Sequence, residues 1–228
     1  MIRAVIFDLD GTLADTEPIH FEAFQEILRT DGIAVSREDY FTRLIGYTDH
    51  DVFAVLLRED GRDAAPAQVQ ALMERKAALY QSMIAGRDVM YPGAADFVRD
   101  CARRFPLMLV TGTLRNEAEM ILGGGKVREL FLDIIAAEDV EHGKPAPDGF
   151  LTGLGRFGFI LRPRPSIVGA ECLVIEDTAA GIEAAHLAGM RVLAVCQTAS
   201  AAQLNAAELI RPSLRETDLD DVLRRFAG

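Results

Sequence analysis

Two carboxylates separated by one residue stand near the start of the sequence. Asp8 and Asp10 follow an apolar run that ends at Phe7. A carboxylate can act as a nucleophile, and a second one nearby can donate a proton to a leaving oxygen and accept one from the next attacker. The spacing therefore predicts a nucleophile at Asp8 and a general acid/base at Asp10. On this motif alone, a solvated strand-to-helix turn and a fragment of a calcium-binding loop are the alternatives.

The residues around the two acids favour a tight turn at the end of a buried strand. Gly11 permits a sharp turn without a Cβ penalty, and the Thr12 hydroxyl can hold the turn or brace a neighbouring carboxylate. The apolar run 4–7 predicts a strand that is buried on both faces. Open α/β sheets keep their active sites where such strands end, so we expect this motif at the carboxyl edge of a parallel sheet.

Two later segments carry polar groups at the ends of apolar runs. Thr111, Gly112 and Thr113 offer hydroxyls and backbone N–H groups that can bind phosphate oxygens at the start of a helix, although hydroxyls also cap helices. Glu176 and Asp177 place two more acids at a strand end, where a helix N-terminus favoured by the macrodipole is the alternative. Converging carboxylates repel one another unless a cation lies among them, and hard oxygen ligands without His or Cys favour magnesium. We therefore expect Mg²⁺.

Lys144 completes the set, on a loop that two prolines, Pro145 and Pro147, keep extended. A lysine on so stiff a loop can hold its ammonium near the nucleophile and a phosphoryl oxygen, and can offset negative charge as the transition state forms. A solvated surface lysine is the alternative. The four segments together indicate a phosphate-handling active site more specifically than any one of them does alone.

The length and composition of the chain are typical of a folded globular protein. At 228 residues, half of them hydrophobic, the chain fits one large domain or one domain with a smaller insert. The formal charge of −11 argues against nucleic acid or an anionic membrane as a partner. No apolar run reaches the ~18 residues of a membrane span, and no signal peptide precedes the first strand, so we expect a cytoplasmic protein. We also expect a monomer. Three scattered cysteines fit a reducing compartment.

The elements that must position these residues fall into two blocks. Between residues 16 and 86, N-cap signals at Thr16, Ser36 and Thr48 and a helix-opening Pro66 predict four helices and no strand. From Tyr91 onward, apolar runs alternate with amphipathic helices, which implies right-handed crossovers onto a parallel sheet with helices on both faces. The strands are expected at 107–110, 132–135, 172–175 and 192–195, the helices near 94–104, 115–122, 148–157 and 179–188, and a surface loop at 159–171.

In order and spacing, the four segments resemble the four motifs of the haloacid dehalogenase-like hydrolase superfamily, in particular its phosphatases and β-phosphoglucomutase-like members. The resemblance spans nearly the whole chain. It implies an α/β fold, with a Rossmann-like doubly wound parallel sheet as the core and an inserted α-helical cap domain. The core is expected at 1–15 and 87–228, and the cap at 16–86.

The same resemblance implies how the site works. It implies an aspartyl-phosphate intermediate on Asp8, with Asp10 as general acid/base. It also implies Mg²⁺ held by Asp8, the Asp10 carbonyl oxygen and Asp177, with Glu176 at or beside the metal. The dehalogenase branch fits less well, because a carbon–halogen bond gives no leaving oxygen for Asp10 to protonate.

The cap resembles that of β-phosphoglucomutase-like proteins only in part. Thr16, His20 and Lys76 match the residue types of that group, and residues 46–48 resemble its substrate-facing loop. Asp49, however, stands where that pattern has an arginine that grips the distal phosphate, and an acid cannot replace that grip. From the residues alone, Lys76 can also snorkel and His20 can be a satisfied core histidine. The substrate candidates are Thr16, His20, Gly46, Tyr47, Thr48, Asp49, Lys76, Gly112, Thr113 and Arg115.

These features predict a Mg²⁺-dependent phosphatase of a small, sugar phosphate-like metabolite, with Asp8, Asp10, Thr111 and Lys144 as the catalytic residues. The alternative within the fold is a β-phosphoglucomutase-like phosphotransferase, which must grip the non-reacting phosphate with fixed positive charge. The alternative of another class is a non-catalytic phosphate-binding or receiver-like module. Such a module would need Asp8 but neither Asp10 nor an inserted cap.

Overall fold

The computed structural model describes residues 1–44, 49–162 and 166–227. The chain divides into two compact units, of which one comprises Met1–Asp15 together with Gly86–Gly228 and the other is Thr16–Ala85. We refer to the first as the core unit and to the second as the helical insert. The predicted substrate residues Gly46, Tyr47 and Thr48 lie outside the described residues, as do residues 163–165 of the expected surface loop.

The core unit is built on a six-stranded sheet in which every neighbouring pair of strands is parallel. The strands are β1 (Ala4–Phe7), β2 (Leu107–Val110), β3 (Phe131–Ile135), β4 (Cys172–Glu176), β5 (Arg191–Val195) and β6 (Leu209–Arg211), and their order is β3-β2-β1-β4-β5-β6. The chain moves outward from β1 to β3 and then returns to the other side of β1. The strand order therefore reverses between β1 and β4, which is where open α/β sheets form their ligand crevice.

Helices cover the sheet, and their apolar faces explain why its central strands are buried. Every residue of β1, β2 and β4 is buried, in agreement with their continuous apolar runs. The helices of this unit are α5 (Ala94–Ala102), α6 (Arg115–Gly124), α7 (Asp148–Ile160), α8 (Ala179–Leu187) and α9 (Leu219–Arg225). The predicted Rossmann-like, doubly wound parallel architecture is therefore confirmed.

The helical insert contains no strand among its described residues. Its helices are α1 (Glu17–Thr30), α2 (Arg37–Asp39), α3 (Asp49–Glu59) and α4 (Pro66–Ile84), and a π-helical segment, Tyr40–Leu44, follows α2 directly. Aromatic and aliphatic side chains from these helices form a separate apolar cluster that includes Phe24, Phe53 and Leu72. None of the described helices of the chain combines the length and apolar composition needed to cross a membrane.

Several boundaries differ from the sequence-based expectations. The edge strand β6 and helix α9 were not expected, because three half-buried residues and one short helix give weak periodicity. The expected surface loop 159–171 begins inside α7 and ends in a 3₁₀ turn, Gly169–Glu171. Thr16 stands at the N-cap of α1, but its hydroxyl does not cap the helix. Ser36 does cap α2, by accepting from the Asp39 N–H at 3.0 Å.

Candidate active site

The register of the parallel strands brings the predicted motifs together. Phe7 at the end of β1 pairs with Ile175 of β4 and with Leu109 of β2. The residues that follow these positions therefore emerge side by side at the carboxyl edge of the sheet, and the Asp8 N–H donates to the Ile175 carbonyl at 3.0 Å. Asp8 and the β4 carboxylates are neighbours because hydrogen bonds along the strands fix this register.

Lys144 links the two strand ends with its ammonium. Its Nζ donates to Asp8 Oδ1 and, at 2.6 Å, to Glu176 Oε1. Burial by itself lowers the pKa of Lys144, but the Asp8 and Glu176 carboxylates outweigh it and raise the pKa above its ordinary value. The lysine is therefore a fixed cation against the predicted nucleophile, and the alternative of a solvated surface lysine is wrong.

Glu176 is fully buried and is held by donors on all sides. Its Oε2 accepts from the Asp177 N–H at 2.7 Å, the Thr178 N–H at 2.8 Å and the Thr178 hydroxyl at 2.9 Å, at the start of α8. A Cβ added at Gly181 would lie 1.8 Å from Glu176 Oε1, so only glycine leaves room for this carboxylate. Glu176 thus receives the helix N-terminus and the Lys144 ammonium, and it orients that lysine.

Asp8, Glu176 and Asp177 form the candidate metal centre. Each is buried, and one carboxylate oxygen from each lies within 4.8 Å of the others. Burial raises the pKa of Asp8 well above its usual range, and burial followed by the Glu176 charge raises the pKa of Asp177 to about 6. Among the described residues, these three carboxyl groups share one ammonium, that of Lys144, so a further cation is needed to balance their charge when they are ionised. This all-oxygen set fits a hard divalent cation such as Mg²⁺.

Asp10 is oriented by hydroxyls from the loop after β2. The Thr113 hydroxyl donates to Asp10 Oδ2, and the Thr111 hydroxyl approaches the same oxygen at 3.4 Å. The Thr113 N–H in turn donates to Thr111 Oγ1 at 3.0 Å. Because the Thr113 and Thr111 hydroxyls both point to Asp10 Oδ2, they hold the Asp10 carboxyl in one orientation. The structure thus brings three predicted site residues together, although their contacts with a substrate remain predictions.

The two other candidates near β2 differ in their surroundings. A Cβ added at Gly112 would meet no atom of the described residues within 4 Å, so these residues leave space open beside it. The Arg115 guanidinium is engaged within the core unit, where it donates to the Ile134 carbonyl at 2.6 Å and to Asp139 Oδ2 at 2.5 Å. Arg115 therefore fastens the start of α6 to the end of β3, and a contact with substrate remains a prediction.

The helical insert brings three of its predicted substrate residues into one polar cluster. The Lys76 side chain is only 2% exposed, and its ammonium donates to both Asp49 carboxylate oxygens at 2.8 and 2.9 Å and to His20 Nδ1 at 2.7 Å. The same ammonium lies 4.6 Å from the ring centroid of Phe24. Snorkelling to the surface is therefore excluded for Lys76, whose charge Asp49 offsets.

His20 is uncharged in this cluster at neutral pH. Burial first, and the Lys76 charge second, lower the pKa of His20 to about 3. Its ring stacks on Tyr80 with centroids 4.1 Å apart. His20 is therefore a satisfied, neutral acceptor for Lys76. Thr16 is buried at the N-cap of α1, and its role toward a substrate remains a prediction.

Two residues after β5, which the sequence patterns did not indicate, contact the site. The expected bracing role of Thr12 is confirmed, because its hydroxyl donates to Asp177 Oδ1 at 2.8 Å. The Thr198 hydroxyl donates to the other oxygen, Asp177 Oδ2, and Gln197 Nε2 donates to the Thr12 carbonyl at 2.7 Å. A signal was available, since both residues directly follow an apolar run at the sheet edge where the other site residues lie.

The fold and the site define an α/β enzyme whose buried carboxylates and lysine meet at the carboxyl edge of a parallel sheet. The model of the haloacid dehalogenase-like hydrolases matches residues 2–189, and the chain belongs to this family. Protein CbbY of Rhodobacter capsulatus is 33% identical over 199 residues, which cover 84% of this chain and 84% of that protein. Fructose-1-phosphate phosphatase YqaB of Escherichia coli (strain K12) is 33% identical over 186 residues, which cover 82% of this chain and 92% of that protein.

A solved structure supports the same assignment of the fold. The crystal structure of β-phosphoglucomutase (pgmB) from Clostridium difficile matches with a TM-score of 0.79 over 100% of this chain and 98% of that chain. At 22% sequence identity, this similarity shows the shared fold. The protein is thus a hydrolase of the haloacid dehalogenase-like family, and its relatives include proteins named as phosphatases.

Proposed function

We propose that the protein is a Mg²⁺-dependent phosphatase that hydrolyses a small, sugar phosphate-like metabolite through an aspartyl phosphate on Asp8. The observation that carries this proposal is the Lys144 ammonium held against both Asp8 and Glu176 inside a buried group of carboxylates. A fixed cation beside the nucleophile offsets the charge of an incoming phosphate, which would otherwise be repelled. Fold alone would not support this function, because one fold hosts many activities.

The chemistry follows from the positions of the two acids. Asp8 attacks phosphorus, a bond forms to its carboxylate oxygen, and the bond to the leaving oxygen breaks. Asp10, held by the Thr113 and Thr111 hydroxyls, gives its proton to that leaving oxygen. Asp10 then takes a proton from water, which attacks the aspartyl phosphate and releases inorganic phosphate. Lys144 stays protonated because the Glu176 carboxylate accepts from it throughout, also while Asp8 carries the phosphoryl group.

Asp8 and Asp177 are the residues that would hold Mg²⁺, together with the Asp10 carbonyl oxygen. Glu176 lies beside them, and its oxygens already accept from Lys144 and from the start of α8. When bound, Mg²⁺ neutralises part of the negative charge that the phosphate and the carboxylates bring together. Thr111 and the open space at Gly112 are suited to phosphate oxygens.

The names of the relatives support the substrate class. One of them is a fructose-1-phosphate phosphatase and another is named a phosphorylated carbohydrates phosphatase. A polyol substrate also suits the cluster of Asp49, Lys76 and His20, whose carboxylate and ammonium can exchange hydrogen bonds with hydroxyl groups. We therefore propose that this cluster recognises the part of the substrate that carries hydroxyls.

Release of phosphate from p-nitrophenyl phosphate and from a panel of sugar phosphates tests the proposal. We expect turnover with Mg²⁺ and its loss with EDTA, because the uncompensated carboxylates would then repel the substrate. Restoring Mg²⁺ after chelation is the control, and a thermal melt shows that the protein stays folded. Absence of metal-dependent turnover across the panel would contradict the phosphatase and favour the non-catalytic module.

Hydrolysis is proposed over phosphoryl transfer because of Asp49. A phosphotransferase must hold a second phosphate with positive charge, whereas here both oxygens of Asp49 engage Lys76. Asp49 remains 32% exposed, so an approaching phosphate dianion would also meet a carboxylate. The cluster has no net charge when Asp49 and Lys76 are ionised and His20 is neutral, and this suits a monophosphate better than a bisphosphate.

Product partition separates the two activities. With β-glucose 1-phosphate and a sugar bisphosphate primer, we expect inorganic phosphate to form faster than glucose 6-phosphate, because Asp49 already engages Lys76 and offers a second phosphate a carboxylate rather than a cation. Both products are measured in the same reaction by coupled assays. Faster accumulation of glucose 6-phosphate would contradict the role given to Asp49 and support the phosphotransferase.

A further inference from the structure

A short loop after β5 lies directly against the candidate metal centre. Glu176 pairs with Ala194 of β5 in the parallel register, so the residues after β5 emerge beside Asp177. Thr198 is the closest of them, because its hydroxyl donates to Asp177 Oδ2 and approaches the Asp177 carbonyl at 3.4 Å. The loop after β5 thus contacts Asp177, one of the two acids at the end of the neighbouring strand β4.

The Asp177 carboxylate is held by one hydroxyl on each oxygen. Thr12 donates to Oδ1 from the turn after β1, and Thr198 donates to Oδ2 from the loop after β5. Asp177 is fully buried, so these hydroxyls take the place of water as its donors. A carboxylate with a donor on each oxygen can rotate about its terminal bond only by breaking both hydrogen bonds.

The neighbouring Gln197 closes these contacts into a ring. Its Nε2 donates to the Thr12 carbonyl at 2.7 Å, and the Thr12 hydroxyl donates to Asp177. The path from Gln197 through Thr12 and Asp177 therefore returns to Thr198, the next residue of the chain. Three loops, after β1, β4 and β5, are joined in this way at one edge of the sheet.

Close packing at Gly11 shows that the ring has little freedom to shift. A Cβ added at Gly11 would lie 2.2 Å from Asp177 Oδ2 and 2.6 Å from Thr198 Cγ2. Gly11 also has a φ of +79°, which disfavours other residues. The turn that carries Asp8 and Asp10 is thus packed against the Thr198 methyl group and the Asp177 carboxylate at the same point.

We propose that Thr198 is a positioning residue for the metal centre, which fixes the orientation of the Asp177 carboxylate so that this carboxylate can bind Mg²⁺ together with Asp8. The inference rests on the proposed Mg²⁺ site. Groups that orient a metal ligand typically change metal affinity by about 10- to 100-fold when they are removed. Gln197 supports Thr198 by fastening the loop to the Thr12 carbonyl.

Direct titration of the folded protein with Mg²⁺ tests this role without any catalytic assay. Thr198→Val keeps the shape and the methyl group and removes the hydroxyl, and we expect it to weaken Mg²⁺ binding by about 10-fold or more in calorimetry. Thr198→Ser restores the hydroxyl and is expected to bind within about 2-fold of the natural protein. Thr217→Val is the matched control, because the Thr217 hydroxyl donates to the Ser213 carbonyl at 2.6 Å.

The outcomes separate the inference from the proposal on which it rests. If the natural protein binds no Mg²⁺, both are overturned. If the natural protein binds Mg²⁺ and Thr198→Val binds it equally well or more tightly, only the positioning role is overturned. Equal loss in Thr198→Val and Thr217→Val would show general destabilisation and would also overturn it. If Thr198→Val does not fold, Thr198→Ala is measured against Thr198→Ser, and equal affinities overturn the role.

Discussion

Asp8→Asn is expected to abolish formation of the phosphoenzyme and to reduce turnover by about 10⁴-fold or more. The amide has nearly the shape of the carboxylate, but it is uncharged and is a poor nucleophile toward phosphorus. Its remaining oxygen can still accept from Lys144, which donates to Asp8 Oδ1. The variant should therefore keep the local arrangement and lose the chemistry. Steady-state turnover and acid-quenched trapping of the phosphoenzyme measure the two effects.

The control for this substitution is Asp15→Asn, which makes the same chemical change at an exposed carboxylate of the same segment. The Asp15 side chain accepts from the Tyr91 hydroxyl at 3.4 Å, and an amide oxygen can accept the same bond. We therefore expect near-normal turnover. Beryllium fluoride adds an independent test, because it forms an adduct on the carboxylate that receives phosphate. A structure with the adduct on any side chain other than Asp8 would refute the assignment.

Asp10→Asn is expected to slow two steps, departure of the leaving group and hydrolysis of the aspartyl phosphate, by about 10²- to 10⁴-fold. The amide cannot exchange the proton that both steps need. The Thr113 and Thr111 hydroxyls can still donate to the amide oxygen, so the side chain should keep its orientation. The effect is therefore attributed to proton transfer. Rapid-quench measurements of phosphoenzyme formation and decay resolve the two steps.

The leaving group provides the internal control for Asp10→Asn. p-Nitrophenolate departs without much help from an acid, whereas the alkoxide of a sugar needs a proton. Formation of the phosphoenzyme should therefore be impaired much less with p-nitrophenyl phosphate, and this intermediate should accumulate because its hydrolysis remains slow. Equal impairment with both substrates, or normal hydrolysis of the intermediate, would contradict the acid/base role.

Much of the core unit could be predicted because its signals are local. Continuous apolar runs mark β1, β2 and β4, and alternation with helices identifies the parallel sheet. The edge strand β6 was not predicted, since it has three half-buried residues and hence no continuous apolar run. The expected division into 1–15 with 87–228 and 16–86 is a prediction that also rests on local patterns, because helical periodicity ends where the strand pattern begins.

The candidate site was predictable to the extent that its residues directly follow strands. Asp8, Asp10, Glu176 and Asp177 belong to motifs with distinctive residue types at the ends of apolar runs. Gln197 and Thr198 also follow a strand, β5, but glutamine and threonine are common in loops. Their residue types therefore did not indicate a site. Gln197 and Thr198 belong to the site only through their contacts with Thr12 and Asp177, which are distant in the sequence.

The sequence by itself determined the type of fold and the family, because strand periodicity and four spaced motifs are local properties of the chain. Only the tertiary structure decided which groups meet. The sheet register sets the ends of β1 and β4 side by side, and the loop before α7 holds the Lys144 ammonium against both Asp8 and Glu176. Helix packing in the insert buries Lys76 against Asp49 and His20. The physical reason is that hydrogen bonds and ion pairs act over a few ångströms, and packing sets such distances between residues that are far apart in the sequence.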